Sequence, residues 1–275
     1  MTAPVELTDP DDPRFDDFRD LRRAPGQPRA TPGGNVVVEG ALAVGRLCTS
    51  RYPVRSVLTT PARVGAVAGV PAGAEVLVAP REVLAQVCGF DVHRGVLASA
   101  DRLPTPTVEQ VAAAHRLVVV EGVGDPENLG ALFRTAAALG VGGVLLDGRT
   151  GDPLSRRAVR VSLGWSLHVP WCRVGPLPQA LADLSAAGVR TVALTPADDA
   201  VDVDVAAGAG LLDGRVALVL GAEGDGLARA SLAAADHRVR IPMAGDVDSL
   251  NVATAFGVVA AFAAARAGWD GVRPT

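Results

Sequence analysis

The chain has 275 residues, 49% of them hydrophobic and 20% charged, which fits a globular protein with a sizeable core in one large or two modest domains. All 26 basic residues are arginine, against 30 acids, and the net charge of −4 taken whole argues mildly against a nucleic-acid partner. The longest nearly apolar run, 252–265, is too short to span a bilayer, and three well-separated cysteines without a CxxC pair suggest neither a zinc site nor a disulfide framework.

Charge is unevenly distributed. Residues 1–20 carry seven acids and two arginines, a net of −5; residues 21–105 carry ten arginines and five acids, a net of +5. The basic excess after an acidic leader is compatible with a small phosphate-binding domain, and equally with chance clustering of surface charge. The leader shows no basic-then-apolar signal segment, so a cytoplasmic protein is expected.

Residues 1–34 read as an acidic, proline-rich leader, with a short helix at 16–23 that places Phe15, Phe18 and Leu21 at helical spacing. Strands are expected at 36–39, 55–59, 75–79 and 95–100, alternating with helices at 41–47, 61–68 and 81–87. That alternation over 35–102 predicts a small α/β layer domain. His93 and Arg94, beside Gly95, can meet a phosphate or a base, or simply be a solvated loop. The proline-bearing stretch 103–107 is the best boundary, and 103–115 reads as a linker with a short helix capped by Thr107.

A second α/β domain is expected over 116–275. The nearly all-apolar run 116–121 is a strand covered on both faces. A helix at 129–139, a strand at 143–147, an irregular stretch at 152–171 carrying Arg156, Arg157 and Arg160, a helix at 177–187 and a strand at 191–194 follow, with a short edge segment at 201–205. Two further strands, 216–220 and 238–241, each run into an unusual loop. The first is Gly221-Ala222-Glu223-Gly224-Asp225-Gly226. The second spans 242–251 and holds Ser249 and Asn251, either of which can cap the last helix. Upstream, Asp125 or Asn128 can cap the helix that bears Arg134, a long charged side chain among Leu132, Phe133 and 136–138 that either snorkels to water or is held for a reason.

Three blocks together resemble the SpoU-type, or TrmH-like, RNA ribose 2′-O-methyltransferases of the SPOUT class: ENLGALFRTAAALG at 127–140, LVLGAEGDGL at 218–227 and IPMAGDVDSLNVATAFG at 241–257. The resemblance implies an α/β fold whose C-terminal SPOUT domain contains a trefoil knot, a feature periodicity alone does not suggest. It implies a small α/β RNA-binding domain before it, S-adenosyl-L-methionine as methyl donor, RNA as partner, and a homodimer with the active site at the subunit interface. On the family pattern, backbone around Gly221, Ile241 and Leu250 holds the donor, and Asn128, Arg134, Glu223, Ser249 and Asn251 match active-site positions. The implied reaction, attack of a ribose 2′-oxygen on the donor's methyl, needs no metal.

The family view of Arg134 as a base strains against the strong basicity of a guanidinium, whose neutral form is rare; holding an RNA phosphate bidentately and stabilising alkoxide charge suits arginine better. The extra N-terminal domain resembles those of ribosomal-RNA-modifying members, which favours ribosomal RNA over transfer RNA. This chain departs from the pattern in lacking a glutamate late in the last helix, and Asp246 and Asp248 make the third block acidic. Two competing readings stand beside this one. A dinucleotide-binding enzyme would use Gly221, Gly224 and Gly226, although their spacing is GxxGxG and little chain follows. A non-catalytic RNA-binding dimer of the same fold would keep the architecture without the chemistry.

Overall fold

A computed structural model of the chain describes residues 3–21, 34–67, 69–93 and 95–266. Arg94, the last two residues of the helix expected at 16–23 and most of the rest of the 1–34 leader beyond it lie outside the described residues. The chain divides into two compact units, Met1–Pro104 with Leu154–His168, and Thr105–Pro153 with Val169–Thr275.

The sheet of the first unit holds β1 (Val5–Glu6), β2 (Asn35–Glu39), β3 (Val54–Thr59), β4 (Glu75–Val78) and β5 (Val96–Asp101), in the order β1-β4-β3-β5-β2. β4 is parallel to β1 and β3, whereas β5 is antiparallel to β2 and β3. Valine-rich runs on β2 to β5 suit a sheet buried under helices α1 (Ala41–Cys48) and α2 (Arg81–Cys88). The segment expected as a helix at 61–68 is a 3-10 helix, Pro61–Val67.

The acidic leader is part of this unit. β1 pairs with β4, and a 3-10 helix at Pro13–Phe18, rather than a helix at 16–23, carries Phe15 and Phe18 into the core with Leu7 and Leu21. Asp12 caps that turn and Pro13 starts it, and the three-residue repeat puts both phenylalanines on one face. Asp17 is tied inward: it accepts from Ser99 Oγ at 2.6 Å and faces Arg55, which also bonds Asp101 at 2.6 Å.

The second unit is a fully parallel seven-stranded sheet of β6 (Arg116–Val120), β7 (Gly143–Leu146), β8 (Trp171–Arg173), β9 (Arg190–Leu194), β10 (Val201–Asp202), β11 (Val216–Leu220) and β12 (His237–Arg240), in the order β10-β12-β9-β11-β6-β7-β8. Around it run α3 (Val108–Ala112), α4 (Pro126–Ala138), α6 (Leu177–Ala186), α7 (Val203–Gly208), α8 (Arg229–Ala234) and α9 (Val252–Arg266). The β6 and β11 runs are apolar throughout because both faces are covered. Thr107 and Gln110 form a capping box on α3, and Asp125, not Asn128, caps α4, whose first turn opens on Pro126. α9, apolar nearly all round, packs chiefly on α4, with Gly257 against Thr135.

The stretch expected to be irregular at 152–171 is not. It folds into α5 (Arg156–Val161) and a 3-10 turn at Trp165–Leu167, and residues 154–168 group with the first unit although the expected second domain contained them. Ser155 caps α5, and the buried carboxylate of Glu39 at the end of β2 holds both Arg156 and Arg160, the latter at 3.3 Å. Short-range pattern could not show this, because the partner lies over a hundred residues upstream. Of the edge segment at 201–205, only Val201 and Asp202 are strand; Val203 already opens α7. Among the described residues no helix is long and apolar enough to cross a membrane.

Candidate functional site

All the parallel strands of the second unit point their C-terminal ends the same way, and a cavity of about 430 Å³ opens there beyond β9, β11 and β12. Ligands of open parallel sheets sit beyond these ends, where loops are free to shape a site. Leu194, Leu220, Val239 and Ile241 give apolar walls, and the two loops singled out in the sequence supply the rest. Gly221, Ile241 and Leu250 all line this cavity, as do Glu223, Ser249 and Asn251.

The first loop folds back on itself. A Cβ on Gly221 would stand 2.2 Å from the carbonyl carbon of Gly226 and 2.3 Å from the amide nitrogen of Leu227, so only glycine permits the closure. Ala222 and Gly226 form an isolated antiparallel bridge that keeps it closed. Backbone is thereby brought to the cavity wall with no side chain in the way.

The second loop ends in a hub. Asn251 caps α9: its Oδ1 accepts from the amides of Ala253 at 3.0 Å and Thr254 at 3.2 Å. Its Nδ2 donates to Asn128 Oδ1 at 2.7 Å and to Glu223 Oε1 at 2.8 Å. One amide therefore joins the start of α9, the start of α4 and the glycine loop. Asn128 is buried and Glu223 exposed, so the cluster runs from the interior to the surface at the cavity mouth.

Ser249 lines the cavity but neither caps α9 nor makes a hydrogen bond among the described residues. Arg134 is not brought into the cluster. It lies six residues beyond Asn128 on α4, about 240° further round at about 100° per residue. It is exposed, and its side chain makes no hydrogen bond or ion pair among the described residues. Arg240 joins the cavity wall instead, with Nε 2.5 Å from Asp202 Oδ1 and Nη1 3.4 Å from Asp198.

Two buried carboxylates shape the neighbouring rim and were not read from the sequence. Glu121, just past β6, accepts from the Ala228 amide and Ser231 Oγ, each at 3.0 Å, and so occupies the N-terminus of α8. That removes the main support for the dinucleotide reading, which needs this helix N-terminus for a pyrophosphate. Asp147, just past β7, accepts from the amides of Gly122 at 3.0 Å and Thr150 at 2.7 Å and from Thr150 Oγ1 at 2.6 Å. Burial alone would raise its pKa, but these hydrogen bonds, led by the Thr150 hydroxyl, win and hold the carboxyl below its ordinary range. An acid closing an otherwise apolar strand run was the available signal for Glu121.

The fit of this site to a nucleoside-bearing methyl donor rests on its shape and lining: a cavity of ordinary small-ligand size, apolar walls, and glycine backbone where a Cβ would not fit. Comparison with known proteins points the same way. The sequence model of the family described as the SpoU rRNA Methylase family matches residues 115–261. A protein of Mycobacterium tuberculosis named as an uncharacterized tRNA/rRNA methyltransferase is 46% identical over 256 residues, covering 91% of this chain and 88% of that one. The 23S rRNA (guanosine-2′-O-)-methyltransferase RlmB of Ralstonia nicotianae is 35% identical over 192 residues, 68% of this chain and 75% of that one. Among solved structures, the AdoMet-bound rRNA methyltransferase from Sinorhizobium meliloti superposes with a TM-score of 0.76 at 26% identity, over 95% of this chain and 98% of that one.

Proposed function

Since this chain belongs to the SpoU rRNA methylase family, we propose that it transfers a methyl group from S-adenosyl-L-methionine to a ribose 2′-hydroxyl of ribosomal RNA. It is an RNA methyltransferase; the choice of ribosomal RNA and of the 2′-oxygen is carried by its likeness to RlmB proteins. The observation that supports the site assignment is the Asn128–Asn251–Glu223 cluster at the mouth of a cavity lined by Gly221, Ile241 and Leu250.

A donor bound there would supply an electrophilic methyl on a sulfonium, with a neutral thioether as the leaving group, for transfer to a ribose 2′-oxygen. Backbone at Gly221, Ile241 and Leu250 would hold the donor, with the apolar wall beside it. Asn251 fixes the glycine loop through Glu223 and, by capping α9, fixes the second loop as well. Asn128 anchors that amide from the buried side, so the two loops keep their separation when RNA docks. Ser249 faces the same space and orients the ribose. Arg134 offers a planar fork of donors and no acceptor. It holds the adjacent phosphate and stabilises developing alkoxide, so the hydroxyl proton leaves to solvent at the exposed mouth rather than to the guanidinium.

Arg134 stands exposed on α4, outside the cluster, which supports an active site completed by a second copy of the chain. Exposed Val205 and Phe262, on helices α7 and α9 that pack together, support the same homodimer. The second unit would carry the trefoil knot that the resemblance implies, with the donor held in it. The first unit would bind RNA through the arginines of residues 21–105, and the protein would act in the cytoplasm.

The test is transfer of labelled methyl to total RNA from cells lacking the gene, with 2′-O-methyl sites mapped against the parent. Incorporation at one ribosomal position is expected. Loss of a transfer-RNA mark with ribosomal RNA unchanged would overturn the substrate, and donor binding without transfer to any RNA would favour a non-catalytic RNA-binding dimer.

A further inference from the structure

Beside the cluster, on the loop after β7, stands an arginine that the reading above leaves without a task. Arg149 has a side chain 72% exposed, yet one edge of its guanidinium is fixed. Nε lies 3.2 Å from Asp147 Oδ2, and Nη2 lies 3.5 Å from Glu121 Oε1. Both carboxylates are buried and themselves tied down, Glu121 by α8 and Asp147 by Gly122 and Thr150. Nη1 makes no hydrogen bond among the described residues. An arginine needed only to neutralise two buried acids would be expected to sink with them. This one is held at its base and left open at its tip.

Its position gives the open tip a target. Gly122 has φ +71, and the place a Cβ would take there lies 3.5 Å from Arg149 Nη2 and 3.6 Å from Ala222 Cβ. Arg149 and the residue before Glu223 therefore pack on the same backbone, at the rim of the cavity. A planar fork pre-oriented in this way pairs with phosphate oxygens at little entropic cost. Arg173 braces the same loop, donating to the carbonyls of Asp147 at 2.7 Å and Gly151 at 3.0 Å. The two acids and two arginines balance, so an anion is recognised here by contact geometry rather than drawn in by long-range field.

We infer that Arg149 is a second RNA-binding residue of the methyl-transfer site, holding a backbone phosphate of the substrate strand while Arg134 serves the reacting nucleotide. This rests on the reading that the substrate is RNA. A phosphate contact positions the strand without reading sequence.

The test compares the full-length wild type with Arg149→Gln and Arg149→Lys. Binding of an unmodified 23S rRNA transcript is measured across a salt series, beside methyl-donor affinity and melting temperature. Arg149→Gln should weaken RNA binding about tenfold, the scale of one charge-assisted pair. Its plot of log affinity against log salt should flatten by about 0.7 to 0.9, one phosphate contact. Donor affinity should hold, and Arg149→Lys should restore the slope with part of the affinity. Wild-type slope and affinity in Arg149→Gln would overturn the inference. So would a parallel fall of RNA affinity, donor affinity and melting temperature that lysine does not rescue, since that marks a brace. A wild type that binds the transcript but methylates no RNA defeats the functional reading, while the slope comparison still decides the role of Arg149.

Discussion

Asn251 does two jobs with two ends of one side chain, and substitutions can separate them. Its Oδ1 caps α9, and its Nδ2 joins Asn128 to Glu223. Asn251→Ser keeps an oxygen able to cap but removes the amide donor. Two hydrogen bonds of net worth roughly 0.5 to 1.5 kcal/mol each are lost, with the lower end appropriate beside exposed Glu223. Asn251→Ala loses the cap as well, about 1 kcal/mol more. In a unit of this size that extra loss corresponds to a melting temperature lower by about 2–4 °C. Turnover should behave differently. Both variants release the glycine loop from α4 and should lose on the order of 100-fold in kcat with both substrates saturating, the scale of a misplaced reacting group. The assay is a thermal melt beside labelled methyl transfer. Near-normal turnover in Asn251→Ser would show that the amide hub is not functional. Equal melting temperatures for the two variants would show that Asn251 is not the cap.

Gly221→Ala forces open a loop in which the new Cβ would stand 2.2 Å from backbone, so methyl-donor affinity measured by calorimetry should collapse while the first unit remains folded. Arg134→Lys should lower turnover sharply with donor saturating; near-normal rates would remove the bidentate role. Phe18→Ala should destabilise the first unit by about 3–5 kcal/mol in urea melts, because the side chain is fully buried; a loss below about 1 kcal/mol would mean the leader is peripheral. The lowered pKa of Asp147 contributes stability above the ordinary carboxylate pKa of about 3.9 and loses it as pH falls through the folded value, so melting temperature should drop with acid in the wild type and less so in Asp147→Asn. Burial pushes the thiols of Cys88 to about 12 and Cys172 to about 11, so neither should be alkylated at pH 8 without unfolding.

Much of the architecture was legible because it is written in short-range pattern. Apolar runs of four to six residues became strands within a residue or two, and Pro126, Thr107 and Gly221 carried their local geometry openly. The misreadings share one cause. Residues 152–171 looked irregular because α5 draws its stability from Glu39, far upstream, and the leader looked detached because its phenylalanines are buried by strands it does not adjoin in sequence. Glu121 and Asp147 went unremarked because a lone acid after a strand has no meaning until its acceptors are seen filled.

By itself, then, the amino-acid order determined the strand-and-helix alternation, the family and the two loops that wall the cavity, since each depends on neighbours within a few residues or on motifs carried whole. Tertiary structure decided which of those residues meet. Asn251 and not Ser249 caps α9, because only its side chain reaches the Ala253 and Thr254 amides while its other end finds Asn128 and Glu223. Arg134 stands apart from that cluster, and Arg149 stands at its rim on two buried carboxylates. The Asn251–Asn128 hydrogen bond joins groups 123 residues apart and exists only after the chain has closed around it, so no local pattern encodes that partner.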